Sequence, residues 1–345
     1  MGWQCRDIRP ERRRMQGSRP SGTVYFADSA MSDQSPLVSV VIPNWNGARL
    51  LRPCLDSLRR QTYRPLEVIV VDGASQDGSQ ELVRREYPEA RLVALPRNLG
   101  FAGNVNAGIR AARGEIIALL NNDATAEPDW IEQLVRGFDD PRVGSCASKM
   151  LLADRPGVLN AAGDFFGRNG LPGNRGVWEP DRGQYDASEE VFGACAGAVA
   201  YRRVMLDDIG LFDERLFYQC EDVDLAFRAQ LAGYRCRYVP NARVYHRLSA
   251  SGGGGLASYY CGRNFIWVLL KNTPAALLRR YWPRMLAAQV GLALHALWHI
   301  REPSARARLR GQARALRELP RILRARAEVQ RRRRVSDTYI ESMLA

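Results

Sequence analysis

Between residues 38 and 148 the chain alternates short, unbroken apolar runs with segments of helical periodicity, and no other feature restricts the fold as much. The runs are Val38 to Ile42, Val68 to Val71, Arg91 to Ala94, Ile116 to Leu120 and Val143 to Ser148; helical patterns over about 50–60, 79–87, 102–112 and 129–139 separate them. Strands that are apolar on both faces have no wet side. The pattern therefore predicts an α/β fold, a Rossmann-like, mostly parallel central sheet with helices on both faces. Ligands of such sheets bind beyond the carboxyl ends of the strands. The residues there are Pro43 to Gly47, Asp72, Asn98 to Gly100 and Asn121 to Asp123, all polar or glycine-bearing.

Charge is concentrated at the two ends. Of the net +13, residues 301–334 hold thirteen Arg against three Glu and residues 1–20 hold six Arg against two acids, which leaves the body at −1. A body without positive charge excludes a nucleic-acid-reading surface and fits a basic tail on an anionic membrane surface. In that tail Leu309, Ala313, Leu316, Leu319 and Leu323 recur at spacings of three and four with arginines between them, the pattern of an interfacial amphipathic helix. The apolar stretch from Met285 to Ile300 is too short and too polar to span a bilayer.

Seven scattered cysteines without a C-x-x-C pair read as reduced thiols, and Arg12 to Arg14 lead into no apolar signal segment. Together these predict a cytoplasmic protein held peripherally at the inner face of the plasma membrane. Residues 1–35 are expected to be a disordered extension, with the composition break before Met31 pointing to that residue as the native start. A globular domain is expected over 36–272 and a basic, membrane-associating helical tail over 273–345. The Gly-, Pro- and Asn-rich stretch from Leu151 to Glu190 predicts a mobile loop on the acceptor side.

Three constellations can carry chemistry. Asn121-Asn122-Asp123 follows a buried strand, where a carboxylate can meet a divalent cation; read alone, it is as readily a helix N-terminal turn. Glu221-Asp222-Val223-Asp224 opens a helical pattern and offers a general base, or simply acids that complement the helix dipole. His246 ends a strand-like run and could join a metal site, although a lone histidine is more often structural. No G-x-G-x-x-G follows the first strand, and Gly252 to Gly255 lacks the Lys-Ser/Thr of a phosphate loop.

In order and context these signals resemble family 2 of the inverting glycosyltransferases, of GT-A fold, over about 37–272. Val38-Ser39-Val40-Val41-Ile42-Pro43-Asn44-Trp45-Asn46-Gly47 looks like the family's first strand and nucleotide-contacting loop. Val70-Val71-Asp72-Gly73-Ala74-Ser75 is similar to its second motif, in which Asp72 would bind the nucleobase. The block from Asn98 through Gly100 and Asn106 to Gly108 is similar to the rhamnosyltransferase-like branch. The resemblance implies that Pro43, Asn44, Asn46, Asp72, Asn98, Gly100, Asn106, Asn122 and Asp123 bind a nucleotide-sugar. It places Asp123 and His246 at a divalent cation, Mg2+ or Mn2+, with Asn121 where the family has its first acid.

Phe212-Asp213-Glu214-Arg215-Leu216-Phe217 with Glu221-Asp222 resembles the acceptor block, with Asp222 as the base beside Glu221 and with Gly197, Tyr218 and Arg263 on the acceptor side. The implied donor is dTDP-rhamnose or a UDP-hexose. The implied acceptor is a glycan or lipid-linked glycan of a bacterial surface polysaccharide. Two rivals stand beside this reading. A sugar-nucleotide nucleotidylyltransferase would need a glycine-rich, Arg-Leu-containing loop where Pro43 to Gly47 stands, and a non-catalytic membrane scaffold would have no need of Asp72, Asp123, Asp222 and His246 together.

Overall fold

The computed structural model describes residues 35–187, 189–247 and 253–345; the expected N-terminal extension, the Met31 start and Gly252 lie outside the described residues. The first half alternates as anticipated: β1 (Val38–Asn44), α1 (Ala48–Arg59), β2 (Leu66–Asp72), α2 (Ser79–Glu86), β3 (Arg91–Ala94), α3 (Gly100–Ala111) and β4 (Ile116–Leu120). β1 pairs in parallel with β2 and β4, and β2 with β3. α1 turns Leu51, Cys54, Leu55 and Leu58 inward at helical spacing, onto the sheet face that carries Val40 and Ile42. α3 covers the opposite face, where Ala102, Val105 and Ile109 meet Val41 and Val71.

The second half extends the sheet. β5 (Ala124–Ala126), α4 (Trp130–Arg136), β6 (Val143–Leu152), β7 (Arg155–Ala161), β8 (Asp164–Phe166), β9 (Pro172–Asn174), β10 (Glu190–Val191), β11 (Ala198–Arg202), α5 (Arg203–Ile209), α6 (Glu221–Ala232) and β12 (Arg235–His246) follow in that order. The strands lie in the order β10-β12-β6-β11-β4-β1-β2-β3. β11 runs antiparallel between β4 and β6, and β12 runs parallel to β6. The stretch from Leu151 to Glu190 differs from the expected loop. It holds β7, paired with β6, and a small β8–β9 sheet. Buried Lys149 on β6 pins its far end through ion pairs with Asp181 and Asp186. Its Gly and Pro content masked two local hairpins, β6–β7 and β8–β9, whose strands carry little of the alternation that marks a strand in sequence.

The C-terminal helices are α7 (Gly254–Asn272), α8 (Ala275–Trp298), α9 (Pro303–Arg317), α10 (Leu319–Arg331) and α11 (Asp337–Met343). They share one apolar core: Phe265, Trp267 and Leu269 of α7 pack with Leu277, Tyr281, Ala315, Ile322 and Ile340, and with Val223 and Phe227 of α6. α7 and α9 cross closely because Gly262 and Gly311 face backbone. A Cβ on Gly262 would overlap the Arg308 carbonyl oxygen, and one on Gly311 the Tyr259 carbonyl oxygen. Ala305, Ala307, Gly311 and Ala315, with Arg308 and Gln312, therefore form the inner face of α9, while Leu316 of α9 and Leu319 and Leu323 of α10 are exposed. Among the described residues no helix is long and apolar enough to cross a membrane.

Candidate active site

The strand ends meet as the parallel sheet predicts. Asn44, at the end of β1, donates to Asp72 Oδ2 (2.9 Å) and accepts at Oδ1 from Asn122 Nδ2 (2.7 Å), so one chain of amides and carboxylate joins the ends of β2, β1 and β4. Gly47 makes room for this, since a Cβ there would collide with the Asn122 amide. Asp72 is 1% exposed, and its Oδ1 accepts from Ser75 N and Gln80 Nε2. Its visible work is to shape the loop. Asn46, at positive φ, ties the same loop down through Ser75 and Gln76, while Pro43 is half-buried on the β1 rim.

The third block is built around glycine and asparagine. Asn98 Oδ1 accepts from Gly100 N and Asn104 Nδ2 and caps the turn into α3. Gly100 needs both its positive φ and its missing side chain, because a Cβ would lie 2.5 Å from Phe217 Cδ2 and from the Phe217 carbonyl oxygen. Asn106 stands apart from the cleft: buried, it bonds Phe212 N, Phe212 O and Glu214 Oε1, fastening α3 to the segment before α6.

β5 pairs with the last residues of β12, setting Ala124 opposite His246, and this register brings Asp123 beside the imidazole. His246 Nδ1 meets Asn160 Oδ1 at 2.9 Å, a contact in which the ring nitrogen donates, and Nε2 lies 3.1 Å from Asp123 Oδ1. A carboxylate oxygen and an imidazole nitrogen thus converge, and the Asn121 amide faces the same ring nitrogen through Nδ2, 3.5 Å away. A carboxylate oxygen and an imidazole nitrogen suit Mg2+ or Mn2+. No cluster of three or more His, Cys, Asp or Glu able to hold a metal occurs among the described residues, so further ligands would come from donor phosphates.

The acids of α6 reach the same rim through two main-chain links. Asn121 N donates to Gly197 O (2.9 Å), and Ala196 N donates to Asp222 Oδ2 (3.1 Å). Only the turn into β11 therefore separates the Asp123 strand end from Asp222. Burial pushes the Tyr218 phenol up to about 12, with smaller pushes from Glu221 and Asp123.

Burial raises both members of the Glu221–Asp222 pair, but their surroundings differ. Asp222 accepts from Ala196 N and Val223 N, which hold back its rise; Glu221 is pushed well up, first by burial and then by Asp222, and its buried Oε2 has no partner among the described residues. Glu221 is therefore the member that keeps a proton, and Asp222 the member that ionises. A third acid shares the neighbourhood: Asp164 of β8 is raised well above the ordinary carboxylate range by burial and then by Asp222, and it accepts from Asn174 Nδ2. Sequence reading missed Asp164 and Asn160 because both sit in the stretch taken for a loop. Arg263 does not face the cleft; it is buried against Glu318, Arg215 O and Asn264 Oδ1.

Glycosyl transferase family 2 matches residues 39–210. The N-acetylglucosaminyl-diphospho-decaprenol L-rhamnosyltransferase of Mycobacterium tuberculosis is 30% identical over 259 residues, 66% of this chain and 81% of that protein. The O-antigen biosynthesis protein RfbC of Myxococcus xanthus is 29% identical over 63% of this chain, and the uncharacterized protein y4gI of Sinorhizobium fredii 30% over 67%. The chain spans only 18% and 27% of the lengths of those two relatives. The fold is similar to that of GalNAc-T7, solved with UDP, GalNAc and Mn2+, at a TM-score of 0.57 and 17% identity over 69% of this chain and 48% of that one. With most of a rhamnosyltransferase's length matched in sequence and the strand-end rim arranged as described, the chain belongs to glycosyl transferase family 2 and has the GT-A fold.

Proposed function

We propose that this chain transfers a rhamnosyl or hexosyl group from a nucleotide-diphosphate sugar to an acceptor hydroxyl with inversion at the anomeric carbon. The observation that carries this reading is the short path from Asp123 through Asn121, Gly197 and Ala196 to Asp222, which brings the Asp123–His246 pair and the Asp222 carboxyl to one rim. Asp222 takes the acceptor proton as the acceptor oxygen bonds to the anomeric carbon and the bond to the diphosphate breaks. Asp123 and His246 would hold Mg2+ or Mn2+, which supplies positive charge for the departing diphosphate. The loops carrying Asn44, Asn46, Asp72 and Asn98 form the nucleotide side, and Gly197 and Tyr218 the acceptor side. The mycobacterial relative's name supports rhamnose as the sugar transferred and a lipid-linked diphosphate glycan as acceptor.

The acceptor's lipid would be met by the C-terminal helices at the inner face of the plasma membrane. α8 is apolar on two sides: Leu277, Tyr281 and Met285 face the core, while Trp282, Leu286, Val290, Leu294, Leu297 and Trp298 are exposed, the last at 87%. An apolar outer stripe with arginines on the neighbouring helices fits an anionic bilayer surface. Incubating the protein with a panel of sugar nucleotides and Mn2+ and scoring nucleoside diphosphate release tests the reaction; no release from any donor, with or without glycan acceptors, defeats it. Sedimentation with phosphatidylglycerol vesicles tests the surface. Wild type should pellet, Leu294→Ser/Trp298→Ser should not, and equal pelleting of the two removes α8 as the docking face.

A further inference from the structure

The loop before α6 is shaped in an unusual way. Phe217, Gln219 and Cys220 all adopt positive φ, a left-handed backbone that side chains other than glycine disfavour, and Cys220 directly precedes Glu221 and Asp222. Such a loop holds only if its surroundings fix it. Buried Asn264 of α7 does so: its Nδ2 faces the carbonyl oxygens of Leu216 (2.9 Å), Tyr218 (2.9 Å) and Gln219 (2.7 Å). Arg263 donates to Asn264 Oδ1 (2.7 Å), which orients the amide, and to Arg215 O (3.0 Å). Arg263 is itself held by Glu318 Oε2 at 2.7–2.8 Å, and the same oxygen accepts from Trp267 Nε1 (2.9 Å). Glu318 sits at the α9–α10 junction, nearly a hundred residues beyond the acids it would influence.

We propose that Glu318, Arg263 and Asn264 form a positioning relay through which the C-terminal helices hold the 215–220 loop and aim Asp222 at the acceptor hydroxyl. None of the three touches the reacting atoms. The proposal rests on the glycosyl-transfer reading for its kinetic consequence, but the loop geometry it asserts is independent of any substrate. A loop misplaced by about 1 Å would weaken transfer to the acceptor while leaving Asn44, Asn46 and Asp72 of the nucleotide side, which follow β1 and β2, unaltered.

The test uses the full chain with Glu318→Gln, Arg263→Gln, the double variant, and Arg263→Lys, which keeps a charge for Glu318 and so guards against a variant that fails to fold. Hydrogen exchange read by mass spectrometry should rise in peptides covering 215–222 in every variant and stay at wild-type levels over 44–80. Binding of UDP or dTDP in the presence of Mn2+ should change by less than about 2-fold, because those loops lie outside the relay. With whichever donor the wild type consumes, acceptor transfer should fall about 10- to 100-fold relative to donor hydrolysis by water. Glu318→Gln should add little in the Arg263→Gln background, since the two act as one unit. Unchanged exchange at 215–222, an equal fall in transfer and hydrolysis, or additive losses in the double variant would each overturn the relay. A wild type that consumes no donor would defeat the glycosyl-transfer reading, and the exchange arm would still decide the relay.

Discussion

Replacing Asp222 by Asn should pull two observables in different directions. The amide has nearly the carboxylate's shape, so the turn from Ala196 to Val223 can stay in place; of the two main-chain N–H groups that now meet a carboxylate oxygen, one loses its acceptor, at about 1 kcal/mol. Against that, the substitution removes a buried charge that pushes up both Glu221 and Asp164. Stability near neutral pH should therefore stay within about 1 kcal/mol of wild type, or rise. Transfer should collapse. A general base is worth ~10²- to 10⁴-fold, or about 2.7–5.4 kcal/mol of barrier.

Burial also sets the pH dependence. Burial raises the Asp222 carboxyl from its ordinary value and only its ionised form accepts a proton, so wild-type transfer should climb with pH through a midpoint higher than that of an exposed aspartate. Nucleoside diphosphate release with saturating acceptor gives the rate, and thermal unfolding of the same preparations gives the stability. If Asp222→Asn keeps its transfer rate within about 10-fold of wild type, another group takes the proton and the assignment is wrong.

Three further outcomes follow from named contacts. Asn160→Ala removes the partner that fixes the His246 tautomer and should weaken Mn2+-supported nucleotide binding by about 10- to 100-fold in a metal titration; an unchanged midpoint would mean that Asn160 only fills space. Asp164→Asn should stabilise the fold at neutral pH but not in strong acid. The folded-state proton affinity of Asp164 is raised, so wild-type stability declines as pH climbs from the unfolded value toward the folded one, and unfolding curves at several pH values should show the gap between variant and wild type opening in that window. Gly311→Val would force α9 away from the Tyr259 carbonyl oxygen, costing about 1–3 kcal/mol and making the C-terminal helices cleavable by protease at concentrations the wild type withstands.

Much of the first half was legible in the sequence because its signals are local. Apolar runs such as Ile116 to Leu120 are buried on both faces, and the polar residues after them fall at one rim because parallel strands all end on the same side. What could not be read depends on partners far away in the chain. Asp164 and Asn160 matter through Asp222 and His246, and the strands carrying them are held by pairing that glycine and proline content conceals. Asn106 has the spacing of a pocket residue, yet its bonds go to Phe212 and Glu214. Arg263 is expected on the acceptor side, yet it turns to Glu318, Arg215 O and Asn264, because nothing local to it announces Glu318. The leucine periodicity of α9 drew the eye from the alanines and glycine that pack, a case in which close approach outweighs side-chain size.

The pairing of β5 with the end of β12 has a consequence for how the protein comes into being. Asp123 and His246 are separated by most of the sheet's sequence, and the imidazole reaches its neighbour only when the twelfth strand has docked. A nascent chain that has emerged as far as α6 already carries Asn44, Asp72, Asp123 and Asp222, but it lacks the imidazole that Asp123 meets in the folded protein. Under the proposed reaction, metal-assisted chemistry would be withheld until nearly the whole sheet is in place, and a prematurely ended polypeptide would lack it.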